Sequence, residues 1–418
     1  MNKHFRMRLL PWVIGALFAA SAAFAQNTSS SLSGRIVDAG GKPVAGATVE
    51  IVHMPSGTSR TVVTDANGRY AAQGLRVGGP FDVKASGSGA SAEQPDVYLK
   101  LAEETTLNLT VAASATTLEG VTVTAAAPGA VFQADNKGLS TNVSSRELKV
   151  LPNPGRSIQD IARLDPNINL TNKGRGEISA LGQNSRYNNI TIDGVATNDS
   201  FGLEANGLPS LNQPLSFDAI EEYNISTANF DVTNKRAVGA NINIVTKSGT
   251  NDFHGDVYYA YTNAKDLTSD EPADFAGYSA KKTFGATVGG PIIKDTLFFF
   301  LSYEESKTLA PAPDYGPLGS GRGNEVNISQ ADLSRIIDIA SGYGLTPGDL
   351  NASNANQDSK LYLGKIDWNI TDGHRASFRY NKTKSEQPIL GGFNSSTLSL
   401  SSFWYTQSRK LESYVLNL

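Results

Sequence analysis

The chain has 418 residues, a formal net charge of −4 and no cysteine. A length of this size is enough for two or three domains. The negative balance argues against nucleic acid as a partner, because phosphate binding needs a concentrated basic face. The lack of cysteine excludes disulfides, haem attached through thioether bonds and thiolate metal sites. Stability therefore has to come from burial and sheet pairing, and we expect no cofactor.

The first 25 residues have the three parts of a secretory signal peptide. Basic residues come first: Lys3, Arg6 and Arg8. An apolar run from Leu9 to Ala20 follows, and Ala23-Phe24-Ala25 supplies a small-x-small cleavage pattern. The alternative is a transmembrane anchor, but the run is shorter than the roughly 20 residues that a spanning helix needs. We expect cleavage and export, with three positive charges lost, so that the net charge of −4 becomes −7.

Residues 31–113 break into seven short runs typical of strands, with turns at Gly40-Gly41, Asn67-Gly68 and Gly78-Gly79-Pro80. This spacing predicts a small antiparallel β-sandwich. The stretches GRIVDAGGKPVAGATVEIV and TDANGRYAAQGLRVG resemble the carboxypeptidase regulatory-like domain. A zinc peptidase would need a His-x-x-Glu ligand pair and a further histidine, yet none of the four histidines has a glutamate three residues later. We therefore expect an accessory sandwich with no metal site and no catalytic residue.

Residues 116–249 predict a compact α+β domain. Ser144 or Ser145 is a candidate N-cap for a short helix that ends near Pro152, and Ser157 is the candidate N-cap for a second that ends before Pro166. A hairpin follows in NNITIDGVATND, where Asp193-Gly194 is a pair that tolerates the positive φ angles of a type I′ turn. Further short strands are predicted in FDAIEEYNIST and GANINIVTKSGT.

Residues 250–418 predict longer strands, each with one apolar and one polar face. In LYLGKIDWNI, for example, Ile366 and Trp368 alternate with Lys365 and Asp367. A transmembrane β-barrel with a wet interior has this pattern, and so does a soluble two-layer sheet. The connections favour the barrel, because long polar links alternate with short turns such as Lys294-Asp295, as in outer-membrane barrels. About six such strands fit before the last residue.

Four stretches together resemble the Oar-like group of TonB-dependent outer-membrane receptors. They are YNNITIDGVATND, FDAIEEYNISTANFDV, GANINIVTKSGTNDFHG and FGATVGGPIIKDTLFFFLSYE. The resemblance implies a mainly β protein, in which an N-terminal β-sandwich and an α+β plug domain precede the first strands of a transmembrane antiparallel β-barrel. It also implies an outer-membrane receptor that takes up a ligand with energy from a TonB-type inner-membrane partner. The sandwich would then be periplasmic, and the barrel would contact outer-membrane lipid.

The same resemblance implies that LEGVTVTAA is the TonB box, the segment that the energy-transducing partner grips. Its candidate partner-binding residues are Glu119, Gly120, Val121, Thr122, Val123 and Thr124. The β-branched residues at 121–124 follow the end of one predicted domain and precede a linker, so they could form an unpaired strand available for β-augmentation. The alternative is that they form the last strand of the sandwich.

The hairpin raises the question of what Asp193 does. A turn role, with local side-chain hydrogen bonds from the neighbouring polar residues, is the commoner explanation. General acid-base chemistry has little support, since no histidine or second positioned acid accompanies Asp193 in this segment. Contact with an extracellular ligand is the second hypothesis, for five candidate residues: Arg186, Tyr187, Asp193, Asn198 and Asp199. A sugar, a peptide or a metal chelate would suit the aromatic and polar loops.

Single-chain bacterial barrels have at least eight strands, more than the six or so predicted here. We therefore expect the sequence to be an N-terminal fragment of a longer receptor or a truncated product. Two other classes stay open at this point. One is a surface adhesion or binding protein that imports nothing, and the other is a secreted carbohydrate-binding module, which would leave the barrel-like strands unexplained.

Overall fold

The computed structural model describes residues 28–112, 139–264 and 278–418, with gaps at 154, 173–175, 200, 203, 212, 228–237, 353 and 372. Strands dominate these residues and form three units, which we call the sandwich (28–112), the central unit (139–249) and the wall (the long strands from 254 onward). The mainly β fold class predicted from the sequence is confirmed. Among the described residues, no helix is long and apolar enough to cross a membrane.

The sandwich consists of two four-stranded sheets packed face to face. Its described strands are β1 (Ser30–Asp38), β2 (Thr48–His53), β3 (Thr58–Val63), β4 (Arg69–Leu75), β5 (Gly78–Gly87), β6 (Ala90–Leu99), β7 (Glu104–Thr106) and β8 (Leu109–Val111). One sheet has the order β4-β1-β7, with β8 also on β1, and the other has the order β3-β2-β5-β6. The alternating apolar residues of both sheets form one core, in which Leu32, Ile36, Val49 and Val83 are fully buried.

Two features of the sandwich differ from the prediction. The last predicted run is divided into β7 and β8, and both pair with β1 in parallel, so the unit is not purely antiparallel. The division occurs at Leu107, whose carbonyl oxygen packs directly against Gly34 of β1. The approach is so close that a Cβ on Gly34 would lie 1.8 Å from that oxygen. Alternation gives the face of a residue but not the direction of its neighbouring strand, so the sequence pattern could not supply the parallel pairing.

The central unit packs short helices against a five-stranded mixed sheet. Its described elements are β9 (Leu139–Ser144), α1 (Ser145–Val150), α2 (Ile158–Ala162), β10 (Ile168–Asn172), β11 (Glu177–Ala180), β12 (Asn189–Ile192), β13 (Val195–Ala196), β14 (Ile220–Thr227) and β15 (Ala240–Thr246). The sheet order is β13-β12-β15-β14-β9, and β10 pairs with β11. Both predicted caps are confirmed: Ser144 forms a capping box with Glu147, and Ser157 accepts a hydrogen bond from the Gln159 amide.

The wall is one antiparallel sheet of six described strands. They are β16 (His254–Asn263), β17 (Ala280–Ile293), β18 (Leu297–Leu309), β21 (Gln357–Thr371), β22 (His374–Ile389) and β23 (Tyr405–Asn417), in the order β16-β17-β18-β21-β22-β23. The sheet is open, with β16 and β23 at its edges. Short turns after β17 and β21 alternate with long connections after β16, β18 and β22, as the sequence predicted.

The two faces of the wall have opposite chemistry. The outer face exposes large apolar side chains, among them Val257 at 76% and Trp368 at 49%. The face toward the central unit, which we call the inner face, buries polar and charged residues: Glu304, Lys365, Asp367, Arg379, Asn381 and Thr383. This inversion of the usual burial pattern is expected for a barrel wall that meets lipid outside and polar contents inside.

The connection between β18 and β21 differs from the plain polar link that the sequence predicted. It contains a parallel pair, β19 (Tyr315–Leu318) with β20 (Asn324–Ser329), followed by helix α3 (Gln330–Gly342). Ser329 caps α3 by accepting a hydrogen bond from the Asp332 amide at 3.0 Å. Ser329 is an N-cap residue type that the sequence shows, but the many Gly, Asn and Asp residues around it favoured an irregular connection.

Candidate functional site

The candidate site is the contact between the central unit and the inner face of the wall. The turn after β12 supplies its first group. Asp193 and Gly194 have φ angles of 45° and 79°, as a type I′ turn requires, so the predicted turn is confirmed. The Asp193 carboxylate accepts hydrogen bonds from the Thr246 amide at 2.8 Å and the Thr246 hydroxyl at 2.7 Å. It is also paired with Arg379 of β22, whose Nη1 lies 3.1 Å away.

The Asp193–Arg379 pair is buried, with side-chain exposures of 6% and 2%. Burial by itself raises the pKa of Asp193, but the charges of Lys365 and Arg379 and the hydrogen bonds from Thr246 outweigh it, so the pKa lies below its ordinary value. Lys365 is held in place because its Nζ donates to the Thr246 carbonyl at 3.0 Å. Asp193 is therefore an ionised anchor between the central unit and the wall.

Sequence reasoning missed Arg379 as the partner of Asp193. The two residues are separated by 186 positions, and neither the turn pattern nor the strand pattern points from one to the other. A usable signal did exist, because an arginine in the middle of a strand whose alternate residues are apolar requires a counter-charge on the inner face. The sequence offers several acids that satisfy this requirement, so the choice of Asp193 needed the tertiary structure.

Glu304 of β18 forms a second contact between wall and central unit. Its carboxylate accepts hydrogen bonds from the Tyr258 hydroxyl at 2.5 Å, the Ser216 hydroxyl at 3.0 Å and the Gln213 amide at 3.3 Å. Arg156, which follows α1, lies 3.8 Å from the same carboxylate and stacks over the Tyr258 ring at 4.0 Å. Tyr258 belongs to the wall, so Glu304 links two wall strands and two segments of the central unit.

The other contacts along the inner face are also polar. Asn381 and Thr383 both donate to the Pro214 carbonyl, at 3.2 and 2.7 Å. Arg409 of β23 forms an ion pair with Glu204. Neutral hydrogen bonds such as the two to Pro214 have small net free energies, about 0.5–1.5 kcal/mol each, because the same groups would otherwise bond to water. The interface therefore fixes the position of the central unit through contacts that can be broken one at a time.

The five candidate ligand residues do not lie together. Arg186 and Tyr187 are exposed just before β12, whereas Asp193 follows its last residue, which places about 10 Å of strand between them. Asn198 lies with the first group, because its amide donates to the Asn188 carbonyl at 2.8 Å. The Asp199 carboxylate accepts from the amides of two nearby residues. The predicted local hydrogen bonds are thus confirmed for Asn198 and Asp199, and ligand contact stays a prediction.

The candidate partner-binding residues Glu119 to Thr124 lie outside the described residues, and so does the predicted signal peptide. Their roles stay predictions. A cavity of about 440 Å³ lies where the sandwich, the central unit and the wall meet. Its lining includes nearly equal numbers of basic side chains (Arg76, Lys149, Lys247, Lys365 and Arg375) and acidic side chains (Asp193, Glu221, Asp256 and Asp367). Because these charges compensate one another, the cavity does not favour a ligand of either sign.

Comparison with known proteins identifies parts of this architecture. A model for the carboxypeptidase regulatory-like domain matches residues 31–112, and a model for an outer membrane beta barrel domain matches residues 245–315. Together with the inverted burial of the wall, these matches define an outer-membrane β-barrel protein with an N-terminal regulatory-like sandwich. The outer-membrane location predicted from the sequence is confirmed.

The particular relationship is to the TonB-dependent transporter Oar of Myxococcus xanthus, which is 29% identical over 409 residues. The alignment covers 91% of this chain and 35% of Oar, so the chain spans about a third of the length of this relative. The chain is a homologue of Oar, which confirms the resemblance predicted from the residues. The relationship is to a transporter and not to an enzyme.

Solved structures of outer-membrane proteins are similar at lower identity. The siderophore receptor PirA from Acinetobacter baumannii is 24% identical with a TM-score of 0.40, over 59% of this chain and 31% of PirA. The outer-membrane transporter YddB from Escherichia coli is 15% identical with a TM-score of 0.41, over 60% of this chain and 33% of YddB.

Proposed function

We propose that the protein acts as a TonB-dependent outer-membrane receptor, taking up a ligand with energy from an inner-membrane partner. In this proposal the wall is part of a barrel and the central unit is its plug. The observation that carries the proposal is the buried Asp193–Arg379 pair. It joins a turn of the central unit to a strand whose opposite face exposes apolar residues such as Phe378.

The chemistry of the interface suits a plug that has to move. The contacts made by Glu304, Asn381 and Thr383 are hydrogen bonds to polar groups of the central unit. Water entering the interface can replace each of them at a modest net cost. An interface filled with interlocking apolar side chains would resist displacement much more strongly, since each exposed apolar side chain costs about 1.5–3 kcal/mol.

We further propose that residues Glu119 to Thr124 are gripped by a TonB-type protein through β-augmentation, in which an extended segment adds a strand to the partner's sheet. Arg186, Tyr187, Asn198 and Asp199 are proposed as the ligand-facing group. They lie at the end of β12 opposite Asp193, and Tyr187 is 53% exposed. Asp193 is proposed as an anchor, because its carboxylate is fully engaged with Thr246 and Arg379.

The test uses the lack of cysteine in this chain. In the full-length receptor, expressed in its host, Val121→Cys is compared with Val63→Cys, an exposed position on β3 of the sandwich. Cells also carry a TonB-type protein with single cysteines in its periplasmic domain. We expect a disulfide between this protein and the Val121→Cys receptor only. Deletion of Glu119–Thr124 from the receptor should abolish uptake of whichever of three labelled probes is imported: a ferric chelate, an oligosaccharide or an oligopeptide.

Membrane fractionation accompanies this test. If the receptor lies in the outer membrane but Val121→Cys never crosslinks and no probe depends on the deleted segment, energy-coupled transport is wrong and surface adhesion becomes the better account. Equal crosslinking of Val121→Cys and Val63→Cys would show that the partner touches the periplasmic surface without selecting the proposed box.

A further inference from the structure

The sandwich contacts the wall at the end where the short turns lie. Asn369 of β21 donates from its side-chain amide to the Thr58 hydroxyl at 3.1 Å, and it accepts from the Arg76 guanidinium at 3.0 Å. The Asn251 amide, just before β16, donates to the Pro55 carbonyl at 2.7 Å. These contacts lie at two separate points, one on β21 and one in the segment that leads into β16, so they fix the orientation of the sandwich as well as its position.

The same domain also contacts the base of the central unit. The Leu101 amide donates to the Glu222 carboxylate at 2.7 Å, and the Asn142 side chain donates to Glu103 at 3.0 Å. Three buried apolar residues from the two units complete the contact: Val77, Leu101 and Val245. Glu222 is almost fully buried, although it belongs to a strand of the central sheet. Within the described residues, the hydrogen bond to its carboxylate comes from the sandwich.

This arrangement has a mechanical consequence. One domain is attached to the central unit and to the wall at the same time, so these two cannot be displaced from each other at their base unless one set of contacts breaks. The contacts are a few hydrogen bonds and three apolar residues, which is a small and partly polar interface. Interfaces of this type allow domain motion, whereas large apolar ones do not.

We propose that the sandwich is a latch on the plug: docked at the base, it holds the central unit against the wall, and it leaves the wall before the central unit moves. The proposal rests on the proposed transport function. The occupant of the docking surface is the sandwich. The surface consists of Asn369 on the wall, Asn251 in the segment before β16, and Asn142, Glu222 and Val245 on the central unit.

The experiment is crosslinking in the full-length receptor within the outer membrane of its host. The pair Thr58→Cys with Asn369→Cys joins the sandwich to the wall at the observed hydrogen bond. A second pair, Pro55→Cys with Asn251→Cys, reports on the other contact in case the first variant assembles poorly. The matched control is Val63→Cys with Asn369→Cys, because Val63 lies five residues farther along β3, about 16 Å from Thr58.

In cells treated with a protonophore, we expect both test pairs to form a disulfide on mild oxidation and the control pair to form none. In energised cells that import a probe, we expect the crosslinked fraction of the test pairs to fall. Oxidation before the probe is added should abolish its uptake in the test pairs, and a reductant should restore it. Uptake by the control pair should be unaffected.

Three results would overturn the latch. Absence of crosslinking in the test pairs even without energy would disprove docking. A crosslinked fraction that is the same with and without energy would make the sandwich a fixed spacer, and so would uptake that persists in the crosslinked receptor. The Val121→Cys disulfide with the TonB-type protein is measured in the same cells. If that disulfide forms in these cases, the proposed coupling to the TonB-type protein is retained and only the latch is rejected. If it does not form, both proposals are rejected.

Discussion

The sandwich and the wall are both built of β-sheets with a side-chain period of two, yet the sandwich buries its apolar faces and the wall buries its polar face. In the sandwich, β2 buries Val49 and Ile51. In the wall, β21 buries Lys365 and Asp367 and exposes Trp368. Alternation therefore determines which residues share a face, while the surroundings determine which face is inside. Water surrounds the sandwich, whereas lipid is the expected surrounding of the outer face of the wall.

The largest effect is expected from breaking the charge pair on the inner face. Arg379→Ala leaves Asp193 buried without its partner, and removal of one member of such a pair costs about 3–5 kcal/mol of folding free energy. The measurement is urea unfolding of the full-length protein in detergent micelles. Lys384→Ala on the same strand is the matched control, since its ion pair with Glu386 is about half exposed and should contribute about 0–1 kcal/mol.

A further variant separates loss of the charge pair from loss of packing. Asp193→Asn combined with Arg379→Met removes both charges and keeps most of the side-chain volume, so the double variant should be more stable than Arg379→Ala alone. If Arg379→Ala and Lys384→Ala gave the same unfolding midpoint, the inner face would not be a buried polar interface, and the contrast with the sandwich would fail.

The second prediction places a lysine on an exposed valine in each sheet. Val288 on the outer face of the wall is 42% exposed, and Val63 in the sandwich is 63% exposed. Val288→Lys should cost about 2–4 kcal/mol for the receptor in phospholipid vesicles, because a charge on the lipid-facing surface of a barrel strand is poorly solvated. Val63→Lys should change stability by no more than about 0.5 kcal/mol, since water solvates the new charge. Similar values at the two sites would mean that the outer face of the wall does not meet lipid.

The third prediction concerns pH and the contact between the sandwich and the central unit. Burial, together with the charges of Glu221 and Glu103, raises the pKa of Glu222 to about 8, although the hydrogen bond from Leu101 and the charge of Lys100 act in the opposite direction. In the docked form Glu222 therefore stays protonated up to about pH 8, whereas undocked, solvated Glu222 loses its proton near its ordinary pKa of 4.5. Docking should be fully favourable below that value and should weaken as pH rises toward about 8.

The measurement is the distance between spin labels on Thr58→Cys and Asn369→Cys. The docked fraction should fall between about pH 5 and about pH 8. Glu222→Gln, which cannot ionise, is the control and should make the docked fraction independent of pH over this range. If the label distance changes equally with pH in the unsubstituted protein and in Glu222→Gln, another group is responsible for the pH effect.

The smallest effect is expected at a local signal of the central unit. Ser144→Ala removes the capping box of α1 and should cost about 1 kcal/mol. Ser144→Asp keeps an acceptor at the N-cap and should restore most of the loss. Both are measured by urea unfolding as above. A cost near that of Arg379→Ala would show that Ser144 has a tertiary role beyond its helix.

Part of the site was predictable from the amino-acid sequence. The turn at Asp193-Gly194 and the caps at Ser144 and Ser157 were predictable, because each depends on neighbours within a few residues. The placement of Lys365 and Arg379 on a polar strand face was predictable from alternation. Their meeting with Asp193 was not, because a period of two carries no information about which distant loop faces a strand.

The strand faces, the alternation of short and long connections and the local capping were predictable from the amino-acid sequence. These depend on side-chain period and on backbone preferences near each residue. Only the tertiary structure decided that β7 and β8 run parallel to β1, that Asp193 is an anchor toward Arg379, and that the sandwich docks through Glu222 and Asn369. These contacts join groups more than seventy positions apart. They are selected by shape and charge in three dimensions, which patterns within a few residues do not describe.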